Sequence, residues 1–126
     1  MKKSLLLLAL TALVAACSVD PQAAHERRVK LIQQIFPNQA DQKGLFLVFP
    51  IEVYGYYATL DIIYFPDEVS ESTVKKRVGK YCAQFKNRGA TGQAYPRDPS
   101  KPVTVTVADG TTRPAQEIWL SCVEKK

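Results

Sequence analysis

The sequence predicts an α+β fold, a two-layer sandwich in which a small antiparallel sheet of about four strands has helices packed on one face. Three observations predict it. Two segments repeat apolar residues at helical spacing, and four others have the alternation or the β-branched and aromatic content of strands. The predicted order is helix, two strands, helix, two strands, and each layer contributes one cysteine on its apolar side.

The first helix is predicted to begin at Asp20-Pro21. An aspartate side chain can cap a helix N-terminus. Proline is well tolerated in the first turn, because a backbone N–H at that position would have no hydrogen-bond partner within the helix. Pro37 ends the segment. The apolar positions recur at helical spacing and are Val29, Ile32, Ile35 and Phe36.

Residues 45–65 are the most strand-like stretch, and Pro50 and Gly55 interrupt it. We expect a first extended piece near residues 45–54 and a stronger strand near 57–65. In the second strand even-numbered residues, such as Leu60 and Ile62, point to one face, and odd-numbered residues point to the other.

The second helix is predicted to begin after Ser70, a favourable N-cap, with Val69 and Val74 placed to pack around that cap. It should run to about Asn87, with Gly89 as the C-terminal cap. Its apolar stripe consists of Val74, Val78, Tyr81, Cys82 and Phe85.

The last third of the chain is predicted to hold an irregular loop and two strands. Residues 90–102 are rich in glycine and proline, whereas residues 102–107 alternate valine with threonine. Asp109-Gly110 is a turn signal, and Pro114 ends the loop before a final strand over residues 116–123. Ile118, Leu120 and Cys122 share one face of that strand.

Cys82 and Cys122 are predicted to form a disulfide that ties the second helix to the sheet. They lie on apolar faces that would pack together, and an even pair of cysteines in an exported protein is normally oxidised. The alternative is two unpaired buried cysteines.

The N-terminus has the three zones of an export signal. Lys2 and Lys3 precede an apolar run over residues 5–16, which is shorter than the about 20 residues that span a bilayer. The run ends in Val14-Ala15-Ala16-Cys17, which resembles the lipobox of bacterial lipoproteins. An ordinary secretory signal is the alternative, although Val14 fits its small-residue position poorly.

The lipoprotein resemblance implies cleavage before Cys17 and acylation of that cysteine, which would attach the protein to a membrane. The residue after the cysteine is Ser18, and in this position the chain resembles lipoproteins that are sorted to the periplasmic face of the outer membrane. We therefore expect a signal peptide over residues 1–16, a lipidated N-terminus and short tether over 17–24, and one α+β domain over 25–126. The helix start at Asp20-Pro21 leaves almost no flexible spacer, so the domain should lie close to the membrane.

The composition excludes some functions. Removal of sixteen residues from the 126 leaves 110, enough for one modest core, and removal of Lys2 and Lys3 lowers the formal net charge from +5 to +3. This mild basicity does not predict nucleic-acid binding, but it is compatible with weak attraction to anionic lipid. Lys75, Lys76, Arg77 and Lys80 are expected on a solvated helix face, or on a face turned to the bilayer.

No catalytic set, metal site or cofactor site is predicted. His25 is the only histidine, and we expect it to face solvent on the first helix. A metal site needs several ligands, which one histidine and two disulfide-bonded cysteines do not provide. Asp61 is expected to face solvent or to accept hydrogen bonds at a sheet edge. The alternative pairs it with Glu52 as the two carboxyls of a hydrolase.

Tyr54, Tyr56 and Tyr57 surround Gly55 and are the best candidates for a binding surface, since tyrosine offers apolar area with a polar tip. The alternative is that they fill the core and its rim.

The first functional hypothesis is a non-enzymatic binding or structural module of the envelope, with an envelope protein, peptidoglycan or lipid as partner. The second is an inhibitor of lytic enzymes or an exclusion factor against phage, acting through residues 90–102. The third is a carbohydrate-active hydrolase.

Overall fold

The computed structural model describes residues 20–124, with only the backbone of Glu124 included. The predicted signal segment and the predicted lipid-bearing Cys17 lie outside these residues. Both helices, the whole sheet and the Cys82–Cys122 pair lie within them. A soluble form that begins at Ser18 therefore contains the complete described fold.

The first helix, α1, spans Pro21–Ile35, as the capping signal predicts. The side chain of Asp20 accepts a hydrogen bond from the backbone N–H of Gln22 at 3.1 Å, and Pro21 occupies the first turn. Phe36 caps the C-terminal end ahead of Pro37. Helical structure thus includes residues 21–24, which were predicted to belong to the tether.

The second helix, α2, spans Glu71–Cys82, so it ends five residues before the predicted Asn87. Ser70 caps it by accepting a hydrogen bond from the N–H of Thr73 at 3.2 Å. Ala83–Arg88 then continues as a tighter 3₁₀ segment, which ends at Gly89 in the left-handed conformation. A second, short 3₁₀ segment, Gln39–Asp41, follows α1.

The sheet has five antiparallel strands instead of about four. They are β1 (Leu45–Ile51), β2 (Tyr56–Tyr64), β3 (Tyr95–Pro96), β4 (Lys101–Thr106) and β5 (Thr112–Glu124). β2 lies between β1 and β5, and both β3 and β4 pair with the other side of β5. The additional strand, β3, comes from the segment that the sequence predicts to be irregular.

Two of the prolines within strands, Pro50 and Pro114, occupy positions where their missing N–H is tolerated. Pro50 is on β1, at the end of the strand order. Pro114 lies inside β5, contrary to the prediction that it ends the preceding loop. The pairing of β5 with β2 stops at Gln116, so Pro114 has only β4 beside it. Proline is acceptable at such one-sided positions.

The main core lies between the sheet and the helices, which confirms the predicted α+β architecture. Leu60, Ile62 and Leu120 of the sheet are buried together with Val78 of α2 and Ile32 of α1. A smaller cluster is centred on Phe65, Val105 and Ala115. Ala115 and Ile118 are an odd number of residues apart on β5, which places the two clusters on opposite faces of the sheet.

Cys82 at the end of α2 and Cys122 on β5 are both fully buried, and their sulfurs are at bonding distance. Their Cα atoms are 5.1 Å apart, within the range that a disulfide requires. The bridge joins the helical layer to the sheet at the place that the two apolar patterns indicate.

Candidate binding face of the sheet

The three tyrosines proposed as a binding surface do not form one surface. Tyr54 is fully exposed at the tip of the β1–β2 turn, where Gly55 has a φ of +91°. Tyr56 and Tyr57 are consecutive residues of β2, so their side chains leave opposite faces of the sheet. Tyr57 is 40% exposed. Its side chain points to the same face of β2 as that of Asp61, because the two residues are an even number of positions apart.

The sheet face opposite the main core carries exposed aromatic residues on either side of a carboxyl group. Asp61 on β2 pairs with Phe49 on β1 and with Trp119 on β5, so the three form one row across the sheet. Phe49 is 47% exposed and Trp119 is 36% exposed. Adjacent strands are about 4.8 Å apart, which separates the two aromatic residues by about 10 Å. We call Phe49, Asp61, Glu117 and Trp119 the open face.

Glu117 is the diagonal neighbour of Asp61, since it lies two residues from Trp119 along β5. Burial of Asp61, followed by its hydrogen bond with Glu117 and the charge of Glu117, raises the pKa of Asp61 to about 7. The Trp119 indole N–H and the charge of Lys101 act in the opposite direction. Asp61 therefore stays protonated to a higher pH than an exposed aspartate does.

Two further contacts surround this pair of carboxyl groups. The ammonium group of Lys101 lies 3.5 Å from Oε1 of Glu117, whose side chain is mostly buried. In the adjacent row, the hydroxyls of Thr59 and Ser121 are 2.6 Å apart and form a buried hydrogen bond. The centre of the open face is therefore polar, whereas the residues beside it are aromatic.

The structure corrects the expectation for Asp61. The residue is on the internal strand β2 and not at a sheet edge, and its Oδ1 atom is buried with no hydrogen-bond partner among residues 20–124. Its carboxyl partner is Glu117 and not Glu52. Glu52 is exposed in the turn after β1, where it follows the Ile51–Thr59 pair. Glu52 and Asp61 are therefore offset by about three residues along the strand direction, which corresponds to about 10 Å.

The predicted solvated basic face is also corrected at one position. Arg77 is 9% exposed, and its Nη1 atom donates a hydrogen bond to the carbonyl oxygen of Lys43 at 2.7 Å. Lys75 pairs with Glu71 at 3.3 Å, and Lys80 lies 3.7 Å from Asp41. Lys76 is exposed, so the four basic residues do not share one surface environment.

His25 is partly buried on α1 instead of facing solvent, and it lines a cavity beside that helix. Within residues 20–124, no group of histidine, cysteine, aspartate and glutamate side chains is arranged to hold a metal ion. The described helices include none that is both long and apolar enough to cross a membrane.

The loop over residues 90–102, on which the inhibitor hypothesis depends, is attached to the domain at several places, and its last two residues, Lys101 and Pro102, belong to β4. Tyr95 and Pro96 pair with Ser121 and Leu120 as strand β3. The backbone of Gly92 packs closely against Gly79 of α2. The loop therefore lies along the sheet edge over part of its length.

Sequence reasoning did not identify Glu117 as a functional candidate. The alternation of side chains along the strands places Asp61 and Trp119 on the face away from the core, and this alternation is visible in the sequence. The partner strand and its register determine which side chains become neighbours, and those depend on the tertiary fold.

No protein family matches this chain, and comparisons with characterised proteins and with solved structures find no similar protein.

Proposed function

We propose that the mature protein is a lipid-anchored, non-enzymatic module at the periplasmic face of the outer membrane, and that it binds peptidoglycan through the open face. The observation that carries the binding proposal is the row Phe49–Asp61–Trp119, in which a carboxyl group lies between two exposed aromatic side chains. The anchor itself is proposed from the lipobox resemblance at Cys17.

The chemistry of the row favours a sugar polymer over an apolar protein surface. An apolar partner that covered Asp61 and Glu117 would leave polar groups without hydrogen bonds, at a cost of about 1–3 kcal/mol for each. A glycan offers hydroxyl donors to the carboxyl groups and places the apolar faces of its rings against the aromatic side chains. The row offers an extended glycan chain two aromatic contacts about 10 Å apart.

The location is consistent with this ligand. Several acyl chains hold a protein stably at a membrane, whereas one chain binds only marginally. Because α1 begins at Pro21, only Ser18, Val19 and Asp20 separate it from Cys17. The domain would thus stay near the membrane surface, where outer-membrane lipoproteins face the peptidoglycan layer.

Co-sedimentation of the soluble form with purified peptidoglycan sacculi tests the binding proposal. We expect Trp119→Ala to reduce the bound fraction at least about fivefold, because truncation of a central aromatic contact costs more than about 1 kcal/mol. Tyr54→Ala is the matched control, since Tyr54 is an exposed aromatic residue outside the open face. Thermal unfolding of both variants verifies that they are folded.

Three outcomes would contradict the proposal. They are absence of sacculus binding by the unmodified soluble form, equal binding by Trp119→Ala, and an equal loss in Tyr54→Ala. The last result would move the contact to the β1–β2 turn, in agreement with the sequence-based candidate Tyr54.

A further inference from the structure

A cavity of about 380 Å³ lies between α1, the start of β1 and the β4–β5 connection. This volume falls in the range of small-ligand sites. Most of its wall is apolar, and the larger apolar side chains that line it are Val29, Ile32, Leu45, Phe46, Phe65 and Val107. We call it the α1 cavity. It lies away from the open face, and the proposed peptidoglycan contact does not use it.

Arg28 gives the α1 cavity a positive charge that has no ion-pair partner among the residues that the structure describes. Its guanidinium lies over the Phe46 ring, with Cζ 3.9 Å from the ring centroid, and this contact fixes the orientation of the group. Its Nε and Nη2 atoms are buried and have no hydrogen-bond partner, and it forms no ion pair with any residue from 20 to 124. Buried donors of a charged group normally have acceptors, because leaving them unpaired is costly.

The other charged groups at the cavity already have partners. Arg113 contacts Asp67 at 2.9 Å and Glu68 at 2.6 Å. The Asp109 carboxylate accepts hydrogen bonds from the backbone N–H and the hydroxyl of Thr111. Arg28 therefore remains as the cation that an incoming anion would meet, with the partly buried His25 beside it on the cavity wall.

We infer that the α1 cavity binds an anionic phospholipid, with Arg28 donating hydrogen bonds to the phosphate and the apolar wall contacting an acyl chain. Arginine nitrogens pair well with phosphate oxygens. An acyl chain is the apolar group that would accompany a phosphate at a membrane surface. Basic sites near membranes bind acidic lipid head groups in this way.

The position of the cavity indicates where this lipid would come from. Arg28 is in the second turn of α1, and Pro21 and Ala24 line an adjoining depression together with Arg28 and Phe46. Cys17 is three residues before Asp20, which is at most about 10 Å along an extended chain. The inference that the membrane supplies this lipid rests on the proposed anchor at Cys17. Binding of lipid in solution does not depend on that anchor.

The test uses the soluble form and two short-chain lipids below their micelle concentrations, dihexanoylphosphatidylglycerol and dihexanoylphosphatidylcholine. Binding is followed by ¹H–¹⁵N NMR shifts. We expect the anionic lipid to bind about tenfold more tightly than the zwitterionic one, with the largest shifts around Arg28 and Phe46. Inorganic phosphate alone should bind far more weakly than the anionic lipid, because it leaves the apolar wall uncovered.

Arg28→Gln should weaken binding of the anionic lipid about tenfold, whereas Arg27→Gln should change it less than about twofold. Arg27 is the matched control because it is an exposed arginine of the same helix and its replacement removes the same charge. Ala108→Trp, which fills the cavity from the β4–β5 connection without changing charge, should also abolish binding.

Equal losses in Arg27→Gln and Arg28→Gln would overturn the inference, because they would indicate non-specific attraction to charge. Equal affinity for the two lipids, or shifts that map to the open face, would also overturn it. Sacculus binding by Arg28→Gln separates the two proposals, since this variant should retain that activity. Failure of lipid binding would leave the peptidoglycan proposal standing, and failure of sacculus binding would leave the lipid inference standing.

Discussion

Asp61 shows how the surroundings of one residue change its chemistry. A carboxyl group on a central strand, beside a second carboxyl and with one oxygen buried, is harder to ionise than an exposed one. Burial contributes most to its raised pKa, and Glu117 contributes next. Because the unfolded chain lacks both influences, folding holds a proton on Asp61 at pH values where the unfolded chain has released it.

This difference predicts a pH dependence of stability. The pKa of Asp61 is 3.8 without these influences and about 7 in the folded protein. Over that interval the folded state binds more protons, so its stability falls as the pH rises from about 4 to about 7. After allowance for the partial exposure of Asp61, we expect Asp61→Asn to be more stable than the parent protein at pH 8 by about 1–2 kcal/mol.

Urea unfolding of both proteins at pH 5 and pH 8 provides the measurement. The advantage of Asp61→Asn should be larger at pH 8 than at pH 5. Glu26→Gln is the control, because Glu26 is an exposed carboxyl residue on α1 and is not part of the open face. A stability difference between Asp61→Asn and the parent that is the same at both pH values would contradict the proposed ionisation.

At the scale of the elements, α2 depends on a close backbone contact. Gly79 is buried in this helix, and a Cβ atom placed on it would lie 2.5 Å from the carbonyl oxygen of Gly92. The Gly92 segment has limited freedom to move away, because Tyr95 and Pro96 are paired with β5 shortly afterwards. The contact explains why a residue that disfavours helices occupies the middle of one.

Gly79→Ala should therefore destabilise the protein, although alanine is normally better than glycine in a helix by about 1 kcal/mol. Overpacking against a constrained backbone costs about 1–3 kcal/mol. We expect a net loss of about 1 kcal/mol in the free energy of unfolding, measured by urea denaturation. Lys76→Ala, at an exposed position of the same helix, should stay within about 0.5 kcal/mol of the parent. A Gly79→Ala variant as stable as the parent would exclude the close contact.

The element boundaries illustrate what local sequence signals can predict. The caps at Asp20 and Ser70 predict both helix starts, because each depends on hydrogen bonds between residues two or three positions apart. The end of α2 and the start of β5 are predicted less well. Their positions depend on contacts with other elements, such as the pairing of Thr112 with Thr106.

For the whole molecule, the Cys82–Cys122 bridge should account for a large share of the stability. It closes a loop with a sequence separation of 40 residues, which corresponds to about 4 kcal/mol in the chain-entropy treatment. We expect reductant, or the double variant Cys82→Ala with Cys122→Ala, to lower the free energy of unfolding by about that amount. Urea unfolding measures it, and reductant should have no effect on the double variant. Two free thiols in the unreduced parent protein would contradict the bridge.

A second whole-molecule prediction concerns the membrane anchor. Cys17→Ala removes the only sulfur available for acylation outside the Cys82–Cys122 pair. We expect this variant to lose membrane association on fractionation of cells and yet to keep its disulfide, as measured by thiol labelling. If the exported variant still sedimented with membranes, the anchor at Cys17 would be wrong.

The sequence by itself determined the α+β class, both helix starts, the strand-rich region after the first helix and the pairing partner for each buried cysteine. These features follow from periodicity and capping, which act over a few residues. Only the tertiary structure decided that Asp61 faces Glu117, that Arg77 is buried and that Arg28 lies beside a cavity with no ion-pair partner in the described part of the chain. Each of these depends on which strands become neighbours or on packing between elements far apart in the chain, and the periodicity of one segment does not specify its distant partners.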